Sequence, residues 1–129
     1  MFKPMLAPNE TIDIENISYP LVASHKIDGI RALFFPDGSM KTRSLKDIPN
    51  QCVVDYFQPV AMYAKNHNIL LDGELHAQSL TFGELSGLIR RFDSPAPKDM
   101  RFLCFDSVLC FDSVKDNQFW VPFIERIGI

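Results

Sequence analysis

The sequence lacks the features of membrane and secreted proteins. No window approaches the roughly 18 consecutive apolar residues that a membrane-spanning helix needs, and the first seven residues lack the apolar core of a signal peptide. Of its three cysteines, none forms a CxxC pair and none stands at zinc-ligand spacing from a histidine, so we expect free thiols in a reducing compartment. These absences predict a soluble cytoplasmic protein that does not associate with membranes.

Excess positive charge and internal repeats are also missing. The formal net charge is −3 at pH 7, so bulk charge does not indicate a nucleic-acid-binding domain. Basic residues nevertheless group in two stretches, which contain Lys41, Arg43 and Lys46, and Arg90, Arg91 and Lys98. Each group alone is as consistent with a solvated surface as with a binding site. A length of 129 residues without repeats predicts one domain.

Hydrophobic spacing and turn residues predict an α+β fold. Strands are expected at residues 21–24, 30–35, 40–44, 69–77 and 101–110, with a hairpin turn at 36–38. Apolar residues at steps of three and four predict a helix over 50–65, kinked or restarted at Pro59. Thr81 and Glu84 form a capping-box pattern for a helix over 82–91. The strand at 101–110 is expected to be buried, and 121–127 resembles the first turns of a helix.

Three short stretches place charges beside strongly apolar runs, namely residues 25–31, 70–75 and 103–106. Such charges need a partner, a ligand or an exposed turn. Taken singly, Lys26 is most simply a surface lysine, Glu74 a turn or bulge residue beside Gly73, and Phe105 a core residue. A functional interpretation makes Lys26 a nucleophile, which requires desolvation or nearby positive charge to lose its proton. Glu74 would then accept hydrogen bonds from a ribose hydroxyl.

In combination, the stretches resemble the covalent nucleotidyltransferase superfamily, and more closely the small viral and phage ATP-dependent DNA ligases. The matching segments are Lys-Ile-Asp-Gly-Ile-Arg at 26–31, Thr-Arg-Ser at 42–44, Leu-Asp-Gly-Glu-Leu at 71–75 and Phe-Asp at 105–106, with a lead-in at 3–7. The resemblance spans residues 3–126. It implies an ATP-grasp-like nucleotidyltransferase fold, in which antiparallel sheets pack with helices.

The resemblance implies a nucleotide-binding role for five residues. Lys26 would attack the α-phosphorus of ATP and carry AMP as a phosphoramidate, and Arg31 would contact the nucleotide or its leaving pyrophosphate. Glu74 would hold the ribose hydroxyls and Phe105 would stack on the adenine. Ser24 lies where the family reads the edge of the adenine. The implied cofactors are ATP and Mg²⁺, and no metal ligand is assigned within this chain.

The same resemblance makes nicked duplex DNA the implied partner. Arg43 corresponds to the family's arginine after the hairpin, which binds the 5′-phosphate of the nick. AMP would pass from Lys26 to that phosphate, and the 3′-hydroxyl would then displace it. This reaction serves DNA replication, repair and recombination.

Two motifs of the family do not occur in the sequence. They are a Glu-Gly segment that helps to hold the metal and a lysine-rich strand that contacts the α-phosphate. We therefore expect residues 1–129 to be a partial adenylation domain without the other half or the OB-fold domain, impaired in ligation and complemented by a second chain. The alternatives are an RNA ligase or capping-type nucleotidyltransferase, a non-catalytic module that holds a nick or a nucleotide, and a remnant without function.

Overall fold

A four-stranded antiparallel sheet forms the centre of the structure, a computed structural model that describes residues 2–109. The strands are β1 (Ile30–Phe34), β2 (Met40–Thr42), β3 (Ile69–His76) and β4 (Arg101–Leu109), arranged in the order β2-β1-β3-β4. The helices of the described residues are α1 (Gln51–Tyr56), α2 (Gln58–His67) and α3 (Phe82–Arg90), besides a 3-10 turn at Ile14–Asn16. The predicted α+β fold with an antiparallel sheet is confirmed.

The predicted hairpin joins β1 to β2. Gly38 adopts a positive φ of 87°, which favours glycine. The Asp37 carboxylate accepts hydrogen bonds from the backbone N–H and the hydroxyl of Ser39, at 2.8 and 2.6 Å. The turn places Ala32 opposite Thr42, and β2 therefore ends at the position where the second resembling segment begins.

Side-chain caps set the starts of α1 and α3. The side chain of Asn50 accepts two backbone N–H bonds at the start of α1, and Thr81 and Glu84 form the predicted capping box of α3. The helix expected over 50–65, kinked or restarted at Pro59, is restarted: α1 and α2 are separate helices that meet at Phe57. Pro59 lies in the first turn of α2, where its missing N–H breaks no helical hydrogen bond.

The helices cover one face of the sheet. Phe34 of β1 is fully buried there and makes edge-to-face contacts with Phe57 and Phe102, at centroid distances of 6.1 and 4.7 Å. Alternate strand residues point to the opposite face, where Leu33 and Leu70 form a smaller buried cluster with Val108. The charged residues of β1 and β3 lie on this second face.

Two predicted strands differ from the structure. Residues 21–24 belong to a stretch without regular secondary structure, and all four are exposed. The strand at 101–110 was expected to be buried, but β4 is an edge strand of the sheet that residues 2–109 form, and only Asp106 and Val108 are buried in it. The prediction was wrong because composition does not reveal which strand has a neighbour on one side only.

Two remaining expectations concern the chain ends and membranes. The helix predicted at 121–127 lies outside the described residues. Among residues 2–109, no helix is long and apolar enough to cross a membrane.

Candidate functional site

The strand predicted at residues 69–77 is confirmed, and β3 runs through Asp72, Gly73 and Glu74 without a turn. The register between β3 and β4 shifts between Asp72 and Gly73, and this bulge leaves Phe105 without a partner residue. A Cβ added to Gly73 would overlap the carbonyl oxygen of Leu103. Glycine is therefore required here for the close approach of two strands.

Arg31 of β1 forms a bidentate salt bridge with Asp72 of β3. Its Nε and Nη2 donate to the two carboxylate oxygens at 2.6 and 2.7 Å, and Nη2 also donates to the carbonyl oxygen of Met5 at 3.0 Å. The two side chains are 15% and 3% exposed. Asp72 therefore holds Arg31 and, through it, the N-terminal segment.

Phe105 contacts the same guanidinium group. The central carbon of that group lies 4.8 Å from the centroid of the Phe105 ring, in cation–π geometry. One face of the ring is therefore covered by Arg31, and an adenine could stack only on the other face. Nη1 of Arg31 takes part in none of these three hydrogen bonds, so it is the nitrogen of this group best placed to meet a ligand.

Gly29, in the first resembling segment (26–31), packs against the third resembling segment (71–75). A Cβ added to Gly29 would overlap the carbonyl oxygen of Leu75 and would lie 3.2 Å from Oε2 of Glu74. The N–H of Gly29 hydrogen-bonds to the Glu74 carboxylate, and Glu74 lies opposite Arg31 in the sheet. Gly29 brings the two backbones together, and its φ is not positive.

Burial changes the acid strength of Glu74. Desolvation is the largest cause and raises the pKa of this carboxyl, and the negative charges of Asp72 and Asp28 raise it further. The positive charge of Arg31 and the hydrogen bond from Gly29 act in the opposite direction. A half-buried carboxylate with a raised pKa is a strong hydrogen-bond acceptor for a ligand hydroxyl.

The Arg31–Asp72 pair combines favourable and unfavourable effects. The hydrogen bond to Asp72 raises the pKa of Arg31. Burial is the largest cause of a raised pKa at Asp72, which the hydrogen bond and the charge of Arg31 oppose. The two short hydrogen bonds keep the pair ionic, so the raised pKa of Asp72 expresses the cost of desolvation. The buried carboxylate of Asp106, which lies opposite Asp72 on the neighbouring strand β4, adds to that cost.

These residues open into a cleft of about 1350 Å³. It is lined by Gly29 and Arg31 of the first segment, by Glu74, by residues 6–9 of the N-terminal segment, by the turn after β2 and by α3. Pockets for drug-sized ligands measure roughly 300–1000 Å³, so the cleft can accommodate a nucleotide with room beyond it.

Arg43 lies in the turn after β2, exposed and lining the cleft. Two further cations, Lys46 and Arg90, line the cleft with it. The nearby carboxylate of Asp47 is paired with Lys41 at 2.7 Å. The cleft therefore carries a group of cations besides Arg31.

Lys26 and Ser24 do not line the cleft. Both are exposed and belong to the irregular stretch before β1. Lys26 lies three residues before Gly29, so its Cα is at most about 11 Å from that of Gly29. Of the six predicted residues, the structure thus brings Arg31, Arg43 and Glu74 to one cleft, adds Phe105 through Arg31, and leaves Lys26 and Ser24 beside it.

Residues 2–109 contain no group of three or more His, Cys, Asp or Glu side chains that could hold a metal ion. Mg²⁺ at phosphoryl-transfer sites is commonly held by one or two carboxylates together with phosphate oxygens and water. Such a site needs no cluster of that size.

The sequence patterns did not identify Asp72 or the convergence of the cations. A signal for Asp72 was present, because a carboxylate next to Leu70 and Leu71 in a strand requires a partner. No signal in the sequence indicated that Lys46 and Arg90 would line one cleft, since this depends on how α3 packs against β1.

Known proteins give no family assignment for this chain. No protein-family model matches it, and no curated protein matches it at a significant level. Its function is therefore inferred from the arrangement of these residues and from the motif resemblance.

Proposed function

We propose that this chain binds ATP in the cleft and forms a lysine-AMP intermediate through Lys26, as the first step of nick sealing by an ATP-dependent DNA ligase. The observation that supports this most directly is the meeting of the resembling segments. Gly29 packs against Glu74, and Arg31 is bound to Asp72, 41 residues away in the sequence. Segments that resemble successive motifs of one active site thus form one site.

The positions of the side chains suit a nucleotide. The Glu74 carboxylate can accept hydrogen bonds from the ribose hydroxyls, and Nη1 of Arg31 can donate to the ribose or a phosphate. Arg43 is then available for the 5′-phosphate of a nick. Mg²⁺, when bound, would neutralise charge that develops on the phosphates.

Lys26 supplies the covalent step. The Lys26 ammonium would first lose one proton to give the neutral amine. The amine would form a P–N bond with the α-phosphorus while the P–O bond to pyrophosphate breaks, and the nitrogen would then lose a further proton to solvent. The amine is exposed in the free chain, so a bound nucleotide must shield it from water. The short distance along the chain from Gly29 permits Lys26 to reach a nucleotide in the cleft.

Covalent labelling tests the proposal. The purified chain is incubated with α-labelled ATP and Mg²⁺, denatured, and examined for bound label. We expect label on the wild type, no label on Lys26→Ala, and wild-type label on Lys65→Ala, which removes an exposed lysine of α2. Retention of label by Lys26→Ala would contradict the proposal. Label from GTP instead of ATP would indicate a capping-type enzyme.

A second candidate function is a non-catalytic module that binds a nucleotide or a nick. The exposed position of Lys26 outside the cleft lining favours it. In this case ATP would bind without covalent label, and Lys26→Ala would leave the affinity unchanged. Glu74→Ala would weaken nucleotide binding under both functions, so the labelling result separates them.

A further inference from the structure

The two basic groups of the sequence converge on one cleft in the structure. Arg43 and Lys46 come from the turn after β2, and Arg90 comes from the last turn of α3. All three are exposed. Their neighbours in sequence, Lys41 and Arg91, do not line the cleft. The fold therefore selects particular members of each group and places them together.

The positive charge of these three residues is not neutralised within the described chain. Neither of the two salt bridges among residues 2–109 involves Arg43, Lys46 or Arg90. Asp47, the acidic residue of the same turn, is engaged by Lys41. The cleft lining also contains the carboxylates of Asp47 and Glu74. With Arg31 it holds four cations against these two carboxylates, in a chain whose net charge is −3, and this local excess of positive charge favours a polyanionic ligand.

We infer that Lys46 and Arg90 form a track for the phosphodiester backbone of duplex DNA next to the nick, continuing from Arg43. This inference rests on the proposed function. Lys46 and Arg90 lie outside the segments that resemble nucleotide motifs, and the cleft, at about 1350 Å³, exceeds the roughly 300–1000 Å³ typical of small-ligand pockets. Extra volume bordered by extra cations suits a chain of phosphates that continues beyond one nucleotide.

Salt dependence of DNA binding tests the track. The affinity of the purified chain for a nicked duplex oligonucleotide is measured over a series of KCl concentrations. Each phosphate contact contributes about 0.9 to the slope of log K against log salt for duplex DNA. We expect Lys46→Ala and Arg90→Ala each to reduce the magnitude of this negative slope by about 0.9. Arg90→Lys keeps the charge and should keep the wild-type slope.

Matched controls remove the same charges elsewhere. Arg91→Ala alters the neighbouring arginine, and Lys65→Ala alters an exposed lysine of α2. Both should keep the wild-type slope. Unchanged slopes in Lys46→Ala and Arg90→Ala, equal changes in the controls, or wild-type binding that does not depend on salt would each overturn the inference.

Labelling of Lys26 by ATP, measured on the same variants, separates this inference from the proposed function. We expect Lys46→Ala and Arg90→Ala to label as well as the wild type. Weaker labelling with unchanged DNA slopes would assign these cations to the triphosphate and overturn the track. An unlabelled wild type with the expected pattern of slopes would overturn the ligase function and leave the phosphate track supported.

Discussion

At the scale of single residues, two salt bridges show how burial changes the free energy of unfolding that is lost when a charged pair is broken. Asp72 is 3% exposed in its pair with Arg31, whereas Asp47 is 82% exposed in its pair with Lys41. Asp72→Asn leaves a guanidinium buried beside a neutral amide, and breaking a buried pair costs about 3–5 kcal/mol. Asp47→Asn should cost only about 0–1 kcal/mol. Urea denaturation of both variants measures this difference, and equal losses would contradict the role given to Asp72.

Glu74 allows a prediction about pH. Its pKa is raised in the folded chain, chiefly by burial, so the folded state holds this proton more tightly than the unfolded state does. The free energy of unfolding therefore falls as pH rises from the ordinary pKa of Glu74 in the unfolded chain through its raised pKa in the folded chain. At neutral pH the ionised carboxylate destabilises the fold. Glu74→Gln should raise the Tm at pH 7 and lose this advantage under acidic conditions. A lower Tm for this variant at pH 7 would show that the hydrogen bond from Gly29 outweighs burial.

The sequence identified Arg31 and Glu74 because charged residues that stand beside apolar strands are a local signal. Their pairing across the sheet was not predictable from it. Asp72 received no role, since Asp-Gly is also a common turn pattern and only the partner strand distinguishes the two cases. Lys26 was expected between two strands, but Leu21 and Val22 have no neighbouring strand and remain 55% and 49% exposed.

At the scale of elements, two glycines should respond to alanine in opposite ways. Gly87 lies inside α3, and a Cβ there would meet nothing within 4 Å. Gly87→Ala should stabilise the chain by about 0.5–1 kcal/mol, because alanine favours the helix. Gly29→Ala should destabilise it, because the added Cβ would overlap the carbonyl oxygen of Leu75. Thermal unfolding compares the two, and stabilisation by both would show that Gly29 is not held against β3.

Helix starts were predictable because their signals are local. Thr81 and Glu84 act on the first turn that follows them, and the structure confirms the capping box predicted there. Asn50 caps α1 in the same local way, although the sequence analysis did not single it out. The burial of β4 was not predictable in this way. Phe102 is partly buried while Leu103 is 36% exposed, and this difference depends on the position of β4 at the edge of the sheet.

At the scale of the whole molecule, residues 8–28 contrast with the sheet and its helices. Their regular structure is the single turn Ile14–Asn16, and large apolar side chains such as Ile12 and Tyr19 are 63% and 75% exposed. Few backbone hydrogen bonds protect such a segment from proteases. Limited trypsin digestion should therefore cut after Lys26 before it cuts after Lys65, which is exposed but lies within α2.

The proposed function extends this digestion experiment. Pre-incubation with ATP and Mg²⁺ should delay cleavage after Lys26, because a modified lysine is not a trypsin site, and should leave cleavage after Lys65 unchanged. Mass spectrometry of the fragments records both rates. Equal rates at the two sites in the free chain would contradict the contrast drawn from the structure.

The strand order has a consequence for folding kinetics. The β1–β2 hairpin closes locally. Pairing of β1 with β3 requires the two ends of the connecting segment 35–68 to meet, and the entropy lost on closing this loop opposes that step. Arg31 and Glu74 lie on these two strands, so the site is assembled by a late, long-range event. A nucleotide that contacts both strands stabilises the completed pair and not the states before it. Bound ATP should therefore slow unfolding while the rate of folding stays the same.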